Sequence, residues 1–537
     1  MKQTLLFSLL MTASLTACVD AIGPQESGVP TPSFWSRLAH PLDASLSAPL
    51  VTDAAAPVEQ QWWKHFNDPT LDALIGEALA NNKTLAIAKA RVEEARANRV
   101  GAQSILFPQV SLTGGTQRAN QGWFTNDKPV TVNQASLQAN WELDVFGKNQ
   151  ARTASADAIL QSEEATRQAV TVGLLSEVAR SYFDLRNFER QIVLTKQNLE
   201  SQKKTAGLID AQLQGAYASD FDVQRAGAQV STTESQLPSL QIAYDTTLNR
   251  LNVLLGQAPG TKDALLKTEA ALAPLDEKII VTAPATVLAT RPDVRAAERR
   301  FAASISASKA ASRELFPTIS LLGLYGVQDT SIMSASPWTL AANLAQPILN
   351  FGRIGSLIDA TDARQKQAFL NYQQTVLEAL ENMENGLSNY LNETGRNASL
   401  NKAVEQNRKA AELAKQQYTS GYTGLLDVLV AERNVLEAES AMTASDAKLR
   451  QDLVTIYAAA GGGWDVDAAP VAAVTPATPV EAATPVEPTP APAEPVAQPA
   501  VVGTTDTAEP APETPTPATP AAPLVPGNYL RLPTKTQ

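Results

Sequence analysis

Residues 134–145 read Gln-Ala-Ser-Leu-Gln-Ala-Asn-Trp-Glu-Leu-Asp-Val and alternate polar and apolar side chains without interruption. Because successive side chains of a strand point to opposite faces, this pattern predicts a strand with one apolar and one polar face. After Phe146 and Gly147 the apolar spacing becomes helical and continues to about Gln214 without a proline. At about 1.5 Å per residue this helix would be on the order of 100 Å long, more than a globular core needs.

The same plan recurs about 205 residues later. Four pairs of identical residues are 205 positions apart: Gly147 and Gly352, Asp222 and Asp427, Val223 and Val428, and Gly256 and Gly461. Upstream, Phe107-Pro108 matches Phe316-Pro317 at a separation of 209, so the first copy has four additional residues in its strand hairpin. The chain is therefore predicted to contain two tandem copies of a helix, two strands, a long helix and a return helix.

The sequence also predicts the bounds of two helices in the first copy and a packing seam in both copies. One helix is predicted from about Thr70 to Ile105, and a return helix from Ser219 to about Leu255, within which Pro238 should cause a bend or an interruption. Apolar residues at three-four spacing predict a packing seam in both long helices. These residues are Leu175, Val178, Tyr182 and Leu185, and, 205 positions later, Leu380, Met383, Leu387 and Tyr390.

The composition restricts the chemistry that the chain can perform. The net charge of -12 argues against a nucleic-acid partner. The sequence has one cysteine and two histidines, and it shows no histidine-based triad, metal cluster, phosphate loop or GxSxG motif. The acidic residues on its helices are best explained as solvated faces. The protein is therefore not expected to be an enzyme, and neither a metal nor another cofactor is expected.

The N-terminus predicts secretion. Lys2 precedes an apolar run from Leu5 to Leu15, and the segment closes as Leu15-Thr16-Ala17-Cys18, so residues 1–17 are predicted to be a signal peptide. The closing residues resemble a bacterial lipoprotein signal, which implies that Cys18 becomes the lipidated first residue of the mature protein in a Gram-negative envelope. An ordinary signal peptide that happens to contain a cysteine is the alternative.

The remaining boundaries follow from changes in composition. Residues from 465 onward contain 17 of the 34 prolines and eight acidic against two basic residues, so this tail is predicted to be disordered. The predicted segments are a lipidated leader (18–60), a first repeat (61–256) with hairpin strands at about 109–146, a connector (257–289), a second repeat (290–464) with hairpin strands at about 317–351, and the tail (465–537).

Strands with apolar outer and polar inner faces are typical of outer-membrane barrels. Two hairpins give only four strands per chain, and an open four-stranded sheet in lipid would leave unsatisfied edges. Closure therefore requires several chains, and three copies would supply about twelve strands. The long helices carry charges along their length, among them Arg152, Asp157 and Glu163, and must stand in the periplasm. The predicted fold class is mainly α with membrane β: a trimeric twelve-stranded β-barrel continuous with a long α-helical barrel.

Four segments carry a resemblance to a known family: RPDVRAAERR at 291–300, LFP at 315–317, NFGR at 350–353 and LLDVLVAERNVLEAE at 425–439. Together with the two-copy plan, they resemble the lipoprotein branch of the outer-membrane factor family over roughly residues 33–464. The resemblance implies an outer-membrane exit channel of a tripartite efflux system, which passes drugs or other small molecules. Its implied partners are two further copies of the chain, a periplasmic adaptor, an inner-membrane pump of the resistance-nodulation-division type, and outer-membrane lipids. It also implies an equatorial domain formed by the connector and the chain ends.

The resemblance also assigns glycines to the two ends of the helical barrel. Gly215 and Gly421 are expected in the tip turns, where the family's adaptors dock. Gly147 and Gly352 are expected at the junctions between barrel strands and long helices.

The resemblance further implies a gate at the periplasmic tip. Asp427 falls on a gate-aspartate position, Asp222 and Tyr418 fall where some members link neighbouring helices by hydrogen bonds, and Arg433 falls on an arginine that pairs at the tip in others.

Two positions depart from the family pattern near Asp427. Val430 replaces a second acidic residue that is frequent there, and Thr423 stands where some members have an arginine. These departures put a gate with two complete rings of interactions in question.

Two other functions remain open on the sequence. A coiled-coil envelope lipoprotein acting as scaffold or spacer would explain the long helices, but it gives no reason for period-two strands in both copies. A type I secretion exit duct shares the same family plan.

Overall fold

The computed structural model describes most of the two repeats. The described residues, which all belong to one compact unit, are 23–36, 50–52, 58–120, 129–266, 275, 279–330 and 333–465. Cys18, the signal peptide and all of the predicted tail except Asp465 lie outside the described residues, as do parts of the leader and connector.

The first repeat follows the predicted order of elements. A short strand and a 3-10 turn (Trp62–Phe66) precede it. The short strand is β1 (Leu50–Thr52). The elements of the repeat are α1 (Pro69–Asn81), α2 (Lys83–Ser104), β2 (Gln109–Ala119), β3 (Val130–Leu143), α3 (Lys148–Gln214) and α4 (Asp220–Leu254).

The connector and the second repeat complete the described chain. Their elements are α5 (Asp263–Leu266), β4 (Ile279–Val281), α6 (Pro284–Thr290), α7 (Pro292–Ser312), β5 (Thr318–Thr330), β6 (Ser334–Ala335), β7 (Trp338–Ala345), α8 (Arg353–Thr419) and α9 (Leu425–Ala459). A 3-10 turn at Arg313–Leu315 separates α7 from β5.

The long and return helices repeat in length as well as in position. Both α3 and α8 have 67 residues, and both α4 and α9 have 35. The predicted rod of about 100 Å is therefore present twice. None of the helices in the described part of the chain is both long enough and apolar enough to cross a membrane.

The helices of the first repeat match the predictions only in part. The single helix predicted from Thr70 to Ile105 is interrupted at Asn82, whose extended backbone ends α1 and caps α2. The Asn82 side chain accepts a hydrogen bond from the Leu85 amide at 2.9 Å and donates one to the Leu254 carbonyl oxygen at 2.8 Å, so a tertiary contact fixes the break. At Pro238, where a bend or an interruption was predicted, α4 is not interrupted.

The four long strands form one antiparallel sheet in the order β2-β3-β5-β7, and the short β6 also pairs with β5. In the second hairpin the ladder ends at Ala345, although strand was predicted to about 351. Pro347 has no amide to donate, which accounts for the early end. Among the described strands, β2 and β7 are the edges of the sheet.

The main hydrophobic core lies where the middle of the long helices meets α1 and the ends of the return helices. Tyr182 in α3 is fully buried there, and its hydroxyl donates to Asp68 at 2.5 Å. Asp68 in turn accepts from the amides of Thr70 and Leu71 and so caps α1. Burial, and then the hydrogen bond to Asp68, raise the pKa of Tyr182 to about 12.

The predicted packing seam is part of this core. Leu175, Val178 and Leu185 are buried in α3, and Met383, Leu387 and Tyr390 are buried in α8, with Leu380 partly buried beside them. The seam prediction is therefore confirmed.

The leader also packs at the level of this core. Strand β1 pairs in parallel with β4 of the connector. Trp35 is buried, and its indole donates to the Thr282 carbonyl oxygen at 2.8 Å. The described parts of the leader and connector therefore pack together at the level of the main core.

Candidate functional site

The sheet has one apolar face that continues across all four long strands. Directly paired residues of an antiparallel sheet share a face, and Leu112, Leu137 and Tyr325 are paired in sequence across β2, β3 and β5. Tyr325 in turn pairs with Trp338 of β7. The large exposed side chains of this face are Val110, Leu112, Leu137, Tyr325, Val327, Trp338, Leu340 and Leu344.

Aromatic residues lie near both ends of the sheet. Tyr325 and Trp338 are a directly paired couple at one end, and both are exposed. Phe146 and Phe316 stack at the other end with ring centroids 5.0 Å apart. Phe316 precedes Tyr325 by nine positions, which on a tilted strand corresponds to about 25 Å, the height of an apolar membrane band.

The opposite face of the sheet is mainly amide and hydroxyl in its first hairpin. Ser111 pairs with Gln138 and Thr113 with Ser136. The hydroxyls of Thr113 and Ser136 are hydrogen-bonded at 2.9 Å. This is the polar face that the alternating sequence of β3 predicts.

The two tip turns, at the far ends of α3 and α8, have the same hydrogen-bond pattern. In the first, the Tyr217 amide donates to Gln212 and the Ala216 amide to Leu213; in the second, Tyr422 donates to Gln417 and Gly421 to Tyr418. These pairs of bonds define Schellman motifs, whose penultimate residue takes a left-handed conformation.

The left-handed residues differ between the two tips. In the second tip it is Gly421, with φ of 78°. In the first tip it is Ala216, with φ of 61°, whereas Gly215 precedes it with φ of -84°. Gly215 and Gly421 both lie in tip turns, but they occupy successive positions of the motif.

Asp222 completes a capping box at the start of α4. The Ser219 hydroxyl donates to its carboxylate at 2.6 Å, and the Ser219 amide also donates to it at 3.2 Å. The hydroxyl bond, followed by the amide bond, lowers the pKa of the Asp222 carboxyl. Asp222 therefore carries its negative charge at the positive end of a helix dipole.

Asp427 occupies the matching position of the second tip. Its carboxylate accepts a hydrogen bond from the Thr423 hydroxyl, and its amide donates to Gly424 at 3.2 Å. The residue is exposed. Thr423, which departs from the family's arginine, thus contacts the predicted gate aspartate directly.

Tyr418 joins the two tips within one protomer. Its hydroxyl donates to the Gln212 side chain of α3 at 2.7 Å. Burial, and then the nearby charge of Asp222, raise the pKa of Tyr418. It packs beside a small buried cluster of Ile209, Leu425 and Leu429. Asp222, Tyr418 and the first turn of α9 therefore lie in one region.

Arg433 lies farther along α9, two turns beyond the tip. It pairs with Glu437 of the same helix at 3.5 Å, and both side chains are more than half exposed. Within the protomer it therefore makes an intrahelical surface pair.

The predicted junction glycines both begin a long helix. Gly147 precedes α3 with φ of 71°, and Gly352 precedes α8 with φ of 87°, conformations that favour glycine. Beside Gly147, the Arg313 guanidinium donates to the Phe146 carbonyl oxygen and so ties α7 to this turn.

A family model described as outer membrane efflux protein matches residues 74–257 and 283–462. The chain belongs to the outer membrane efflux protein family. It is similar to a solved structure of the outer-membrane channel OprN, with 31% identity and a TM-score of 0.74 over 83% of this chain and 99% of that one.

Two curated efflux-family relatives match at nearly full length. The pyoverdine export outer membrane protein OpmQ of Pseudomonas putida is 29% identical over 473 residues, 86% of this chain and 97% of its own. The cation efflux system protein CusC of Escherichia coli is 27% identical over 480 residues, 86% of this chain and 100% of its own.

These matches confirm the predicted fold class, location and function of this efflux-family protein. It is an outer-membrane channel of a tripartite efflux system, whose fold is a trimeric β-barrel continuous with a periplasmic α-helical barrel. The family and the fold are those of channels, not of enzymes. In the described ranges, no group of three or more His, Cys, Asp or Glu side chains could hold a metal ion.

The sequence predictions missed two buried carboxylates, both on α9. Glu439 of α9 accepts from Arg408 of α8 at 2.7 Å and from Asn198 of α3 at 3.3 Å. One heptad earlier, Glu432 accepts from Ser201 and Thr205 of α3. The seven-residue separation of two glutamates on an otherwise apolar helix face was the signal that could have located them.

Proposed function

We propose that this chain is the trimeric exit duct through which small molecules, delivered by a periplasmic adaptor and an inner-membrane pump of the resistance-nodulation-division type, leave the cell. The single observation that supports this most strongly is the four-stranded sheet with an apolar face and two edge strands, β2 and β7. Such edges are unstable in lipid, and pairing β2 of one copy with β7 of the next satisfies both. Three copies then give the twelve-stranded barrel.

The two tip turns support adaptor docking at the far end of the helices. Tyr217 and Tyr422 hold the same position of the two Schellman motifs and are 88% and 87% exposed. Four positions later, Phe221 and Leu426 are also exposed. A trimer therefore presents six similar exposed apolar surfaces, one at each tip turn, which suit the repeated helical hairpins of an adaptor. Gly215 and Gly421 shape these turns.

Asp222 and Asp427 support a gate between protomers. Within the described protomer, the hydrogen bonds of both carboxylates go to residues at the start of their own helices. Each carboxylate also has unused acceptor capacity, because an ionised carboxylate offers about four lone-pair sites. We assign the inter-protomer contact to Asp427 first, with Asp222, Tyr418 and Arg433 as neighbouring contributors.

The gate assignment is tested in planar bilayers with the full-length trimer. Asp427→Ala is expected to raise the unitary conductance severalfold and to admit large antibiotics, because it removes a hydrogen-bonding charge from each protomer at the constriction. Asp210→Ala is the matched control, since Asp210 is another exposed acidic residue near the tip, whose described hydrogen bond is to Gln214 of its own helix. Equal conductance of the Asp427 variant and the control would overturn the gate assignment without affecting the channel.

The partners and the anchor require experiments in cells. Deletion of the gene is expected to increase susceptibility to antibiotics and to slow dye efflux, and copurification on the lipidated trimer should recover the adaptor. Cys18→Ser should abolish labelling by palmitate. Unchanged susceptibility and dye efflux together with the absence of a copurified adaptor would contradict the proposed efflux assembly.

A further inference from the structure

The polar face of the sheet contains an apolar patch. Leu322 of β5 pairs with Asn140 of β3 and with Ala341 of β7. Leu324 pairs with Gln138 and with Thr339. Because paired residues share a face, both leucines lie on the side opposite Leu137, Tyr325 and Trp338.

This face is that of the channel lumen. The opposite face exposes the large apolar and aromatic side chains that lipid requires, which leaves the face of Asn140 and Gln138 for the interior. On the strands that the structure describes, Glu142 is the one charged side chain of the lumen face, and Lys148 pairs with it at 2.7 Å. The wall beside the leucines is therefore neutral.

The position of the leucines along the strand places them inside the membrane. Both alternate along β5 with the outer-face residues Leu321, Gly323 and Tyr325, and so lie at the height of the apolar outer face. They are only partly buried within the protomer, so part of their apolar surface remains on the lumen side. Neither residue serves the outer face, and lipid contact cannot explain their hydrophobicity.

We propose that Leu322 and Leu324, repeated three times around the trimer, form an apolar band in the barrel lumen that binds the alkyl or aromatic part of amphipathic solutes in transit. This inference rests on the proposed trimeric duct. The wall between the bands carries the amides and hydroxyls of the first hairpin, which accommodate the polar part of the same solutes. Because the wall is neutral, binding depends on apolar area and not on the sign of the charge.

The test uses the full-length trimer in planar bilayers with tetraphenylphosphonium added on the side of the strand loops. The measured quantity is the concentration that halves the unitary potassium current. Tetramethylammonium, which has the same charge without phenyl rings, is the reference probe. The double variant Leu322→Ala/Leu324→Ala is expected to raise the half-blocking concentration of tetraphenylphosphonium on the order of fivefold, because six apolar side chains are shortened.

A reciprocal variant and a matched control make the test specific. Gln138→Leu/Asn140→Leu widens the band on the same face and should lower the half-blocking concentration. Leu321→Ala removes the same area from the adjacent residue on the outer face and should leave it unchanged.

The outcomes separate this inference from the channel function. Stable unitary currents with unchanged block in both double variants would overturn the lumen band while leaving the duct intact. Failure of the wild-type trimer to conduct would instead contradict the proposed duct. A fivefold effect of Leu321→Ala, with none from the lumen variants, would show that the face assignment is reversed.

Discussion

The hairpin formed by α3 and α4 and the hairpin formed by α8 and α9 share a backbone but differ in what their carboxylates contact. An ion pair recurs at positions 205 residues apart: Lys203 with Glu234 at 3.4 Å in the first, and Arg408 with Glu439 at 2.7 Å in the second. The Glu234 side chain is 58% exposed, whereas that of Glu439 is 10% exposed. The same pair is thus a surface contact in one hairpin and partly internal in the other.

The difference arises from the neighbour of each return helix. Glu439 and Glu432 of α9 both contact side chains of α3. The position in α4 that matches Glu432 is Gly227, and Ile242 of α4 is exposed. Duplication therefore preserved backbone geometry, while the side chains of α9 became adapted to a neighbour within the protomer and those of α4 did not.

Removing the basic side chain of each ion pair should give the largest difference in stability between the two hairpins. Arg408→Ala is expected to destabilise the α8–α9 hairpin by about 2 kcal/mol, because it leaves a mostly buried carboxylate with a single amide partner. Lys203→Ala should cost less than about 0.5 kcal/mol, since both partners are well exposed. Hydrogen exchange of the α9 and α4 amides measures the two local opening free energies.

The charge of Glu439 is the reason for this expectation, and a second substitution tests it. Adding Glu439→Gln to Arg408→Ala should recover most of the lost stability, because the buried group is then neutral. If the double variant exchanges as fast as Arg408→Ala alone, lost packing of the arginine stem explains the effect instead.

The sequence predicted most of the fold because repetition and period-two alternation are local patterns. The 205-residue separation located both long helices, and β3 located the membrane face. The break at Asn82 could not be predicted, since the Leu254 carbonyl oxygen that holds this residue is distant in sequence. Glu432 and Glu439 were missed because glutamates on a charged helix are usually solvated. Leu322 and Leu324 were missed because only the strand register shows that they pair with Asn140 and Gln138, respectively, and so share the polar face.

The sequence placed the candidate residues at the helix tips but did not give their contacts, and their role as a gate stays a prediction. The resemblance placed residues at both tips, and the structure shows Asp222 and Tyr418 in one region. The hydrogen bonds of Asp427 and Asp222 to Thr423 and Ser219 required the turn geometry. Contacts between protomers involve a second chain, so no local pattern of the sequence encodes them.

The left-handed residue of each tip turn also distinguishes the two hairpins, since it is Ala216 in the first and Gly421 in the second. A side chain in this conformation costs roughly 1 kcal/mol relative to glycine. Ala216→Gly should therefore stabilise the first tip by somewhat less than this, and Gly421→Ala should destabilise the second by about 1 kcal/mol.

The space around Gly421 is open, so the Gly421→Ala substitution adds no steric clash. Apart from its neighbours in the chain, a Cβ atom there would meet no atom within 4 Å, so the cost is due to backbone strain. Local hydrogen exchange at residues 217 and 422 measures both changes. Equal and opposite shifts would show that the two turns are interchangeable, while no stabilisation by Ala216→Gly would indicate that the first turn has relaxed around its alanine.

The smallest expected effect is a pH dependence confined to the first tip. The Ser219 hydrogen bonds lower the native pKa of Asp222 below its ordinary value of 3.8. A lowered native pKa contributes stability above the unfolded value, and that contribution is lost as the pH falls through the native value. The start of α4 should therefore open more readily below about pH 4.

Ser219→Ala tests the cause of this pH dependence. It should weaken the start of α4 by about 0.5 kcal/mol at neutral pH, since the cap is lost, and it should also abolish the acid-dependent step. Exchange of the amides at 220–223, corrected for the intrinsic effect of pH, gives both values. Thr423→Ala is the matched variant at the second tip and should leave the first unchanged. An acid step that persists in Ser219→Ala would show that the Ser219 hydrogen bonds are not its cause.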